Sequence, residues 1–285
     1  MRYKIQKNWI SSLGLIKRKP VLMLPFVIIA FFEALALELI YFSSRPPLSA
    51  LTGPIIKKFF GEDFLHYPAN LFLLPKLFYY AQVAIYIFIS AAMIAISVTI
   101  FKNIKMNIPL KAGAILKATL KRYGAFVLFG VISILLIYAL KKVDMFVLNK
   151  GARFAFRYIP NIVDKLYFII STLYMFLSNV IFQVFVVLTI PIMIIQKKPF
   201  FAAFAGGIRL GFKNFITICA LIFLPFLLYL PVVLLKSGAP QLVNKTFPGI
   251  NIFIILAGVV FAVLVDCFIA ICTSQFLLDK EGPAK

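Results

Sequence analysis

The sequence predicts an all-α membrane protein, a bundle of about six transmembrane helices. Hydrophobic side chains make up 63% of the 285 residues and charged side chains only 14%, which is more apolar surface than a soluble core of this size can bury. Six stretches without Lys or Arg approach or exceed the roughly 20 residues that a helix needs to cross ~30 Å of hydrocarbon. We therefore interpret residues 1–285 as one membrane domain.

The six predicted spans follow these lysine-free stretches, and the third is the shortest. The fourth is long enough for a span that ends near Pro191 and a short continuation along the membrane surface, because proline breaks or kinks a helix. Pro225 and Pro231 are expected to kink the fifth span in the same way. The predicted spans are residues 20–42, 77–101, 123–140, 166–195, 215–235 and 250–278.

Basic residues predict the orientation of the chain. The net charge is +21, from 30 Lys and Arg against 9 Asp and Glu, and in a soluble protein this would suggest a nucleic-acid partner. Here the basic residues flank apolar spans, so we expect anionic membrane lipids as partners and no nucleic acid. The termini and the second and fourth loops hold 18 of these 30 residues, and the other loops hold 12. The positive-inside rule then places both termini in the cytoplasm, at the cell (inner) membrane.

A basic segment with an apolar stripe precedes each odd-numbered span. Apolar residues recur there at i, i+4, i+8 and i+11, a spacing typical of a helix that lies with one face in lipid. We interpret the chain as three parallel repeats of an interfacial helix followed by two spans, at approximately 1–101, 102–195 and 196–278. The stripes are Ile5, Trp9, Leu13 and Ile16; Ala112, Leu116, Leu120 and Tyr123; and Phe204, Ile208, Phe212 and Phe215.

Seven basic residues are candidate contacts for anionic lipid headgroups. Four of them accompany the second and third stripes at the same offsets. The other three lie in the third loop at i, i+3 and i+7, so they share one face of any helix that forms there. The alternatives are cations that only anchor the topology and a solvated charged face. The seven are Lys117, Lys121, Arg209, Lys213, Lys150, Arg153 and Arg157.

Carboxyl and amide side chains lie near the middle of three predicted spans. An ionisable group in hydrocarbon costs a few kcal/mol on insertion scales, so it is a functional candidate. With a rise of ~1.5 Å per residue, Glu33 and Asp266 lie within about 3 Å of the midplane. Asn179 lies at the same depth, and Gln183 is one turn away on the same helix face. We predict that these four residues form a midplane polar cluster.

The midplane cluster has two interpretations. Protonated carboxyls that bond to amides would hold helices together, whereas a functional cluster would bind a proton or a cation. We expect no Lys, Arg or His within the spans to complete a proton relay, and this favours the structural interpretation. Glu38 is expected about 10 Å nearer the outer face, solvated and level with Gln82.

The sequence gives little support to an enzyme. It contains no HExxH, GxSxG or phosphate-binding glycine loop. The three cysteines fall inside apolar segments without CxxC spacing and are interpreted as small hydrophobic residues. The single histidine, His66, lacks the companions that a zinc site needs. We therefore expect neither catalysis nor a bound cofactor or metal.

The stretch between Pro191 and Pro225 reads PIMIIQKKPFFAAFAGGIRLGFKNFITICALIFLP. It resembles the multi-span membrane region that is fused to some bacterial glycerophosphodiester phosphodiesterases, and its stand-alone relatives of unknown function. Gly207 and Ile208 stand where family members often have a serine-tryptophan pair. The resemblance implies a six-span fold and no particular reaction. Ala203, Arg209 and Lys213 match the family pattern A-x-x-x-x-x-R-x-x-x-K-x-N-F, and Asn214 and Phe215 follow Lys213 directly, without the intervening residue.

Two classes of function remain. The sequence favours a lipid-interacting scaffold or accessory component of the membrane, because of its three basic helices and 32 phenylalanines. The alternative is a transporter or permease whose acidic midplane site contains the predicted polar cluster.

Overall fold

The computed structural model describes residues 2–158, 163–245 and 247–281, and all regular structure within these ranges is helical. Six helical segments in the described ranges are long and apolar enough to cross a membrane. The chain is therefore a multi-pass membrane protein, and the predicted all-α membrane bundle is confirmed. These segments are Leu24–Ser44, Ala69–Lys105, Tyr123–Gly151, Ile169–Ile195, Phe215–Ala239 and Ile250–Lys280.

The helices are numbered in chain order. A π-helical turn at Tyr86–Ser90 joins α4 to α5 within the second span. The α-helices are α1 (Arg2–Arg18), α2 (Leu24–Tyr41), α3 (Ser49–Phe60), α4 (Ala69–Ile85), α5 (Ala91–Lys105), α6 (Ala112–Leu120), α7 (Tyr123–Tyr158), α8 (Val163–Val186), α9 (Thr189–Ile195), α10 (Phe200–Lys213), α11 (Phe215–Lys245) and α12 (Ile250–Glu281).

Several predicted span ends are wrong, because the helices continue through lysines, and the differences are largest in α4, α7 and α11. Helix α4 begins eight residues before the predicted start at Leu77 and includes Lys76. Helices α7 and α11 continue well past the predicted ends at Leu140 and Leu235. Lysine does not end a transmembrane helix when its long apolar stem can carry the ammonium group toward the membrane surface. Helix α11 also runs unbroken through Pro225.

The predicted break near Pro191 is confirmed, but the segment that follows does not lie at the surface. Residues 187–188 separate α8 from α9. Pro191 lacks an N–H, so the carbonyl of Val187, four residues earlier, loses its helical partner. Six of the seven residues of α9 are buried. The predicted interfacial continuation is therefore wrong, because α9 packs against α5, α10 and α12 inside the protein.

The helices that precede the odd-numbered spans gather at one end of the bundle, here called the proximal end. Helix α1 packs against α12, and α6 packs against the end of α5. Lys102 Nζ donates to the carbonyl of Ile194 at 3.1 Å, and Arg122 Nη1 donates to that of Met193 at 2.7 Å. These cations satisfy the last carbonyls of α9 and oppose the negative end of its dipole. The opposite, distal end carries α3.

Helix α10 lies unusually close to the fourth span because its buried face is made of small residues. Ala203, Gly207 and Gly211 recur at i, i+4 and i+8, and all three are buried. A Cβ added to Gly207 would lie 3.3 Å from Thr189 Oγ1, and one added to Gly211 would lie 3.0 Å from the carbonyl oxygen of Val184. Residues without a large side chain are therefore required on this face.

The apolar stripes of α6 and α10 face partly away from the protein. Leu116 and Leu120 on α6 are 50% and 59% exposed, and Phe212 on α10 is 70% exposed. Helix α1 buries the polar residues Asn8 and Ser12, whereas Leu13 of its stripe is 48% exposed. The three helices exist where they are expected, whereas their place at a membrane surface and the threefold repeat stay predictions.

We expect Gly130→Ala to destabilise the protein. Gly130 is where α7 meets the π-helical turn, and a Cβ there would lie 2.8 Å from the Cα of Ile87. The two backbones would have to separate, so the free energy of unfolding should fall by about 1–3 kcal/mol. Thermal unfolding in detergent measures this effect. Gly124→Ala is the control on the same helix, because nothing lies within 4 Å of a Cβ there. Equal melting temperatures for both variants would contradict the prediction.

Candidate functional site

A cavity of about 260 Å³ lies inside the bundle. Its wall is formed by one face each of α2, α4 with the π-helical turn, α7 and α12, together with Ile94 of α5. Most of the lining is aliphatic, and a few polar groups converge on it, a composition typical of sites for small ligands. The main polar and ionisable lining residues are Glu33, Tyr79, Gln82, Tyr86, Lys141 and Asp266.

The two carboxyls face this cavity. On α2, Phe31 marks the outward face with 62% exposure, and Glu33 lies roughly 160° around the helix from it. On α12, Val260 is 60% exposed, and Asp266 lies roughly 120° away. Glu33 is half-buried and Asp266 is exposed. Both carboxyls line the cavity, and a charge within a membrane is tolerated where it faces a cavity.

The carboxyls interact with each other and with an amide. Gln82 Nε2 donates to Glu33 Oε1 at 3.2 Å and links α4 to α2. Glu33 and Asp266 lie close enough to interact electrostatically. Lys236 on α11 also lies within electrostatic range of Glu33. Two acidic groups that share one cavity favour a cation or a proton between them.

The structure brings together two of the four residues predicted for the midplane cluster. Glu33 and Asp266 share the cavity, whereas Asn179 and Gln183 are not among the described residues that line it. Asn179 donates instead to a carbonyl of its own helix at 2.8 Å. Helix α8, which carries both amides, packs against α10 and α11. The predicted pairing of these amides with the carboxyls is not formed, and Gln82 takes their place.

Two lysines near the cavity were excluded by the predicted spans. Lys141 lines the cavity, and its Nζ lies 3.4 Å from Tyr79 Oη and 4.7 Å from the ring centre. Lys236 Nζ donates to Tyr229 Oη at 3.1 Å. Neither forms an ion pair within the part of the chain that the structure describes. The prediction that no lysine lies within the spans is wrong, because α7 and α11 continue through these residues. Apolar residues continue at helical spacing on both sides of each lysine, and this pattern could have indicated that the helices do not end there.

Gln82 lies deeper in the bundle than its predicted level beside Glu38. It pairs with Glu33 instead, because α4 begins at Ala69 and not at the predicted position 77. Glu38 is exposed, as expected, and lies outside the cavity.

The lysines lie distal to the carboxyls. Tyr79, which contacts Lys141, is three residues or about 4.5 Å distal to Gln82 on α4. The ammonium group of Lys236 lies against Gly258, which is eight residues or about 12 Å distal to Asp266 on α12. Glu33 and Asp266 are therefore called the acidic floor of the cavity and Lys141 its basic rim, whereas Lys236 lies further distal and does not line the cavity.

The proximal side of the cavity is closed by packed side chains. Phe26 lines the cavity and belongs to a buried cluster that includes Leu22, Phe101 and Ile271. Ser97 Oγ donates to the carbonyl of Leu22 at 3.0 Å and fixes the short turn before α2. The acidic floor is thus separated from the proximal end by an apolar layer.

A further buried carboxyl lies outside the cavity, between α7 and α8. Asp144 is 3% exposed, and its Oδ1 accepts a hydrogen bond from Ser178 Oγ at 2.9 Å. The sequence places Asp144 in the third loop, because Lys141 and Lys142 end the predicted third span. Helix α7 continues past these lysines and buries the aspartate against α8.

The seven basic candidates are divided by the structure. Lys117, Lys121, Arg209 and Lys213 are exposed at the proximal end, and Lys150 is exposed on α7. The side chains of Arg153 and Arg157 lie outside the described residues, so the predicted shared face is not tested.

Comparison with known proteins gives no relative, because no family model, curated protein or solved structure matches this chain. Within the described residues, no group of three or more His, Cys, Asp or Glu side chains is placed to hold a metal ion. The cysteines Cys219, Cys267 and Cys272 are free, and the last two are buried. The cavity is therefore the candidate site, and its function has to be inferred from its own geometry.

Ser178→Ala is expected to destabilise the contact between α7 and α8. Removal of the hydroxyl leaves the buried Asp144 carboxyl without this donor, at a cost of about 1–3 kcal/mol in the free energy of unfolding. Unfolding of the detergent-solubilised protein measures it. Ser237→Ala is the control, because that hydroxyl bonds to carbonyls of its own helix. If the two variants unfold alike, the Asp144 contact contributes nothing to stability.

Proposed function

We propose that this membrane protein is a transporter or permease that binds a small cationic solute in the cavity. One observation carries the proposal: Glu33 and Asp266, from two different spans, line one cavity of about 260 Å³. Ionisable residues inside spans that face a cavity mark pathways for substrates and ions. A purely structural pair would need no space between its members.

A cation suits the acidic floor for electrostatic reasons. An ammonium group offers three donors and no acceptor, and carboxylate oxygens offer acceptors only. Glu33 accepts one hydrogen bond from Gln82 and has remaining lone pairs for a ligand. Two interacting carboxyls can also exchange a proton for the bound cation, which supports coupling of transport to a proton gradient.

The cavity is why transport ranks here above the scaffold role that the sequence favours. A scaffold requires neither the cavity nor lysines beside it that lack an ion pair. We further propose that the proximal end faces the cytoplasm across the cell membrane, because the termini and proximal loops carry 18 of the 30 basic residues. The resemblance of residues 191–225 to the phosphodiesterase-linked membrane region supports membership of that family as a proposal.

We expect Glu33→Gln and Asp266→Asn each to lower proton-coupled cation flux about tenfold or more, because each removes one charge from the acidic floor. Methylammonium is the probe, added to proteoliposomes that hold a pH-sensitive dye. Glu38→Gln is the matched control, because this carboxyl is exposed on the same helix outside the cavity. Flux that is unchanged in the two floor variants, or equally reduced in the control, would contradict the proposal.

A second candidate function is interaction with anionic lipids at the proximal end. It is supported by exposed basic and apolar side chains that lie together on α6 and α10. Lys117 and Lys121 are exposed beside the exposed Leu116 and Leu120, and α10 exposes Phe212 beside two bases. Basic residues near an anionic bilayer surface contribute about 1 kcal/mol each.

Neutralising the four proximal bases to Gln is expected to deplete anionic lipid from the purified protein. The measurement is the amount of phosphatidylglycerol that co-purifies, determined by mass spectrometry. The control neutralises four exposed distal lysines and should retain the lipid, because these lie away from the proximal surface. Equal lipid content in both variants would count against the interaction. The proximal set is Lys117, Lys121, Arg209 and Lys213, and the distal set is Lys57, Lys58, Lys76 and Lys142.

A further inference from the structure

The cavity carries opposite charges at two depths. Its floor holds the carboxyls Glu33 and Asp266, and its distal rim holds the ammonium group of Lys141. We infer that the ligand is itself bipolar: a small molecule or headgroup in which an ammonium group is joined by a short linker to a phosphate or carboxylate. This inference rests on the proposed cation site and adds the second, anionic half of the ligand.

An anion can bind at the rim, because Lys141 forms no ion pair in the described ranges. Lys141 lies against the Tyr79 ring, and Lys236 bonds to a tyrosine hydroxyl. These contacts hold the ammonium groups in place without neutralising them, since neither lysine forms an ion pair in the described ranges. A positive charge beside a cavity within a membrane is stabilised by a negative partner. An anionic group on the ligand would supply that partner at the rim.

The distribution of charge in the lining also favours a bipolar ligand. Two carboxyls and Lys141 line the cavity, so an ammonium group is attracted at the floor and an anionic group at the rim. A simple cation is attracted at the floor only and therefore binds less tightly than a bipolar ligand. A simple anion would be attracted at the rim and repelled at the floor. Only a molecule that carries both charges is attracted at both depths.

The contacts on α4 suit a short linker. Tyr79, against which Lys141 lies, is three residues or about 4.5 Å distal to Gln82, the residue that binds Glu33. This length is the rise along the helix between the two contact residues, and a two-carbon linker between an amine and a phosphate or carboxylate spans a comparable length. A cavity of about 260 Å³ takes a molecule of this kind rather than a drug-sized one. The same chemistry occurs in a free amino phosphate or amino acid and in the headgroup of an aminophospholipid.

The test compares ethanolamine with phosphoethanolamine, which differ only in the anionic group, by calorimetry on the detergent-solubilised full chain. We expect phosphoethanolamine to bind about tenfold or more tightly than ethanolamine. Lys141→Gln should remove most of this advantage through loss of phosphoethanolamine affinity, without weakening ethanolamine binding. Lys142→Gln is the matched control: Lys142 is the next residue along α7, contacts Tyr138 and does not line the cavity.

The outcomes separate the inference from the proposed function. Ethanolamine binding that needs Glu33, with no advantage for phosphoethanolamine, would overturn the bipolar ligand and leave the cation site standing. Phosphoethanolamine could keep its advantage over ethanolamine to the same extent in Lys141→Gln and in Lys142→Gln. That result would overturn the role of the rim. Failure of both compounds to bind would overturn both proposals. A thermal unfolding curve of each variant shows that a lost affinity is not lost folding.

The source of the ligand is identified by a second arm. Phosphoethanolamine binding is measured in proteoliposomes of phosphatidylcholine alone and of phosphatidylcholine with phosphatidylethanolamine in equal parts. Weaker binding in the mixed vesicles indicates competition by the lipid headgroup and supports a lipid ligand. Equal, Lys141-dependent binding in both vesicles supports a free solute. Absence of Lys141-dependent binding in either vesicle counts against the bipolar site.

Discussion

Backbone polar groups within a bilayer must find their partners inside the protein, because hydrocarbon offers none. The π-helical turn at Tyr86–Ser90 shows how the bundle meets this requirement. The carbonyl of Phe88, displaced from regular helical bonding, accepts a hydrogen bond from Tyr123 Oη at 2.9 Å. Helix α7 covers the turn by a backbone contact at Ile87 that only Gly130 permits. Such turns recur at functional sites, and this one forms part of the cavity wall.

Charged side chains in a bilayer also need polar surroundings, and basic and acidic side chains reach them in different ways. Lysines have long stems, so they remain in helices near the ends of spans and lie against rings one turn away. Lys142 lies 5.0 Å from the Tyr138 ring centre and Lys150 lies 4.5 Å from that of Phe146. Glutamate and aspartate are too short to reach the surface from mid-span. They face the interior, as Glu33 does, and this difference separates the acidic floor from the basic rim.

Apolar length predicts the number of spans correctly because it depends on composition alone. It fails at the span ends, because a span defined by the absence of lysine ends at Lys141 or Lys236. The helices continue past both residues. The shared site of Glu33 and Asp266 is predictable, because depth and helix face follow from residue spacing. The missing amide, Gln82, is not predictable in this way. Which helices become neighbours depends on packing, and no periodicity in α8 indicates that it contacts α10 and α11.

In the proposed transporter, the order of charges along the cavity would determine which ligands bind most tightly. The apolar cluster around Phe26 closes the proximal side, so a ligand that arrives from the distal side would meet Lys141 before Glu33. A simple cation would be attracted only at the floor. A bipolar ligand gains attraction at the rim through its anion while its ammonium group extends inward, and both charges are then compensated in a medium of low dielectric constant. Selectivity in the proposed transporter would then depend more on the order in which the ligand meets the rim and the floor than on the strength of either interaction.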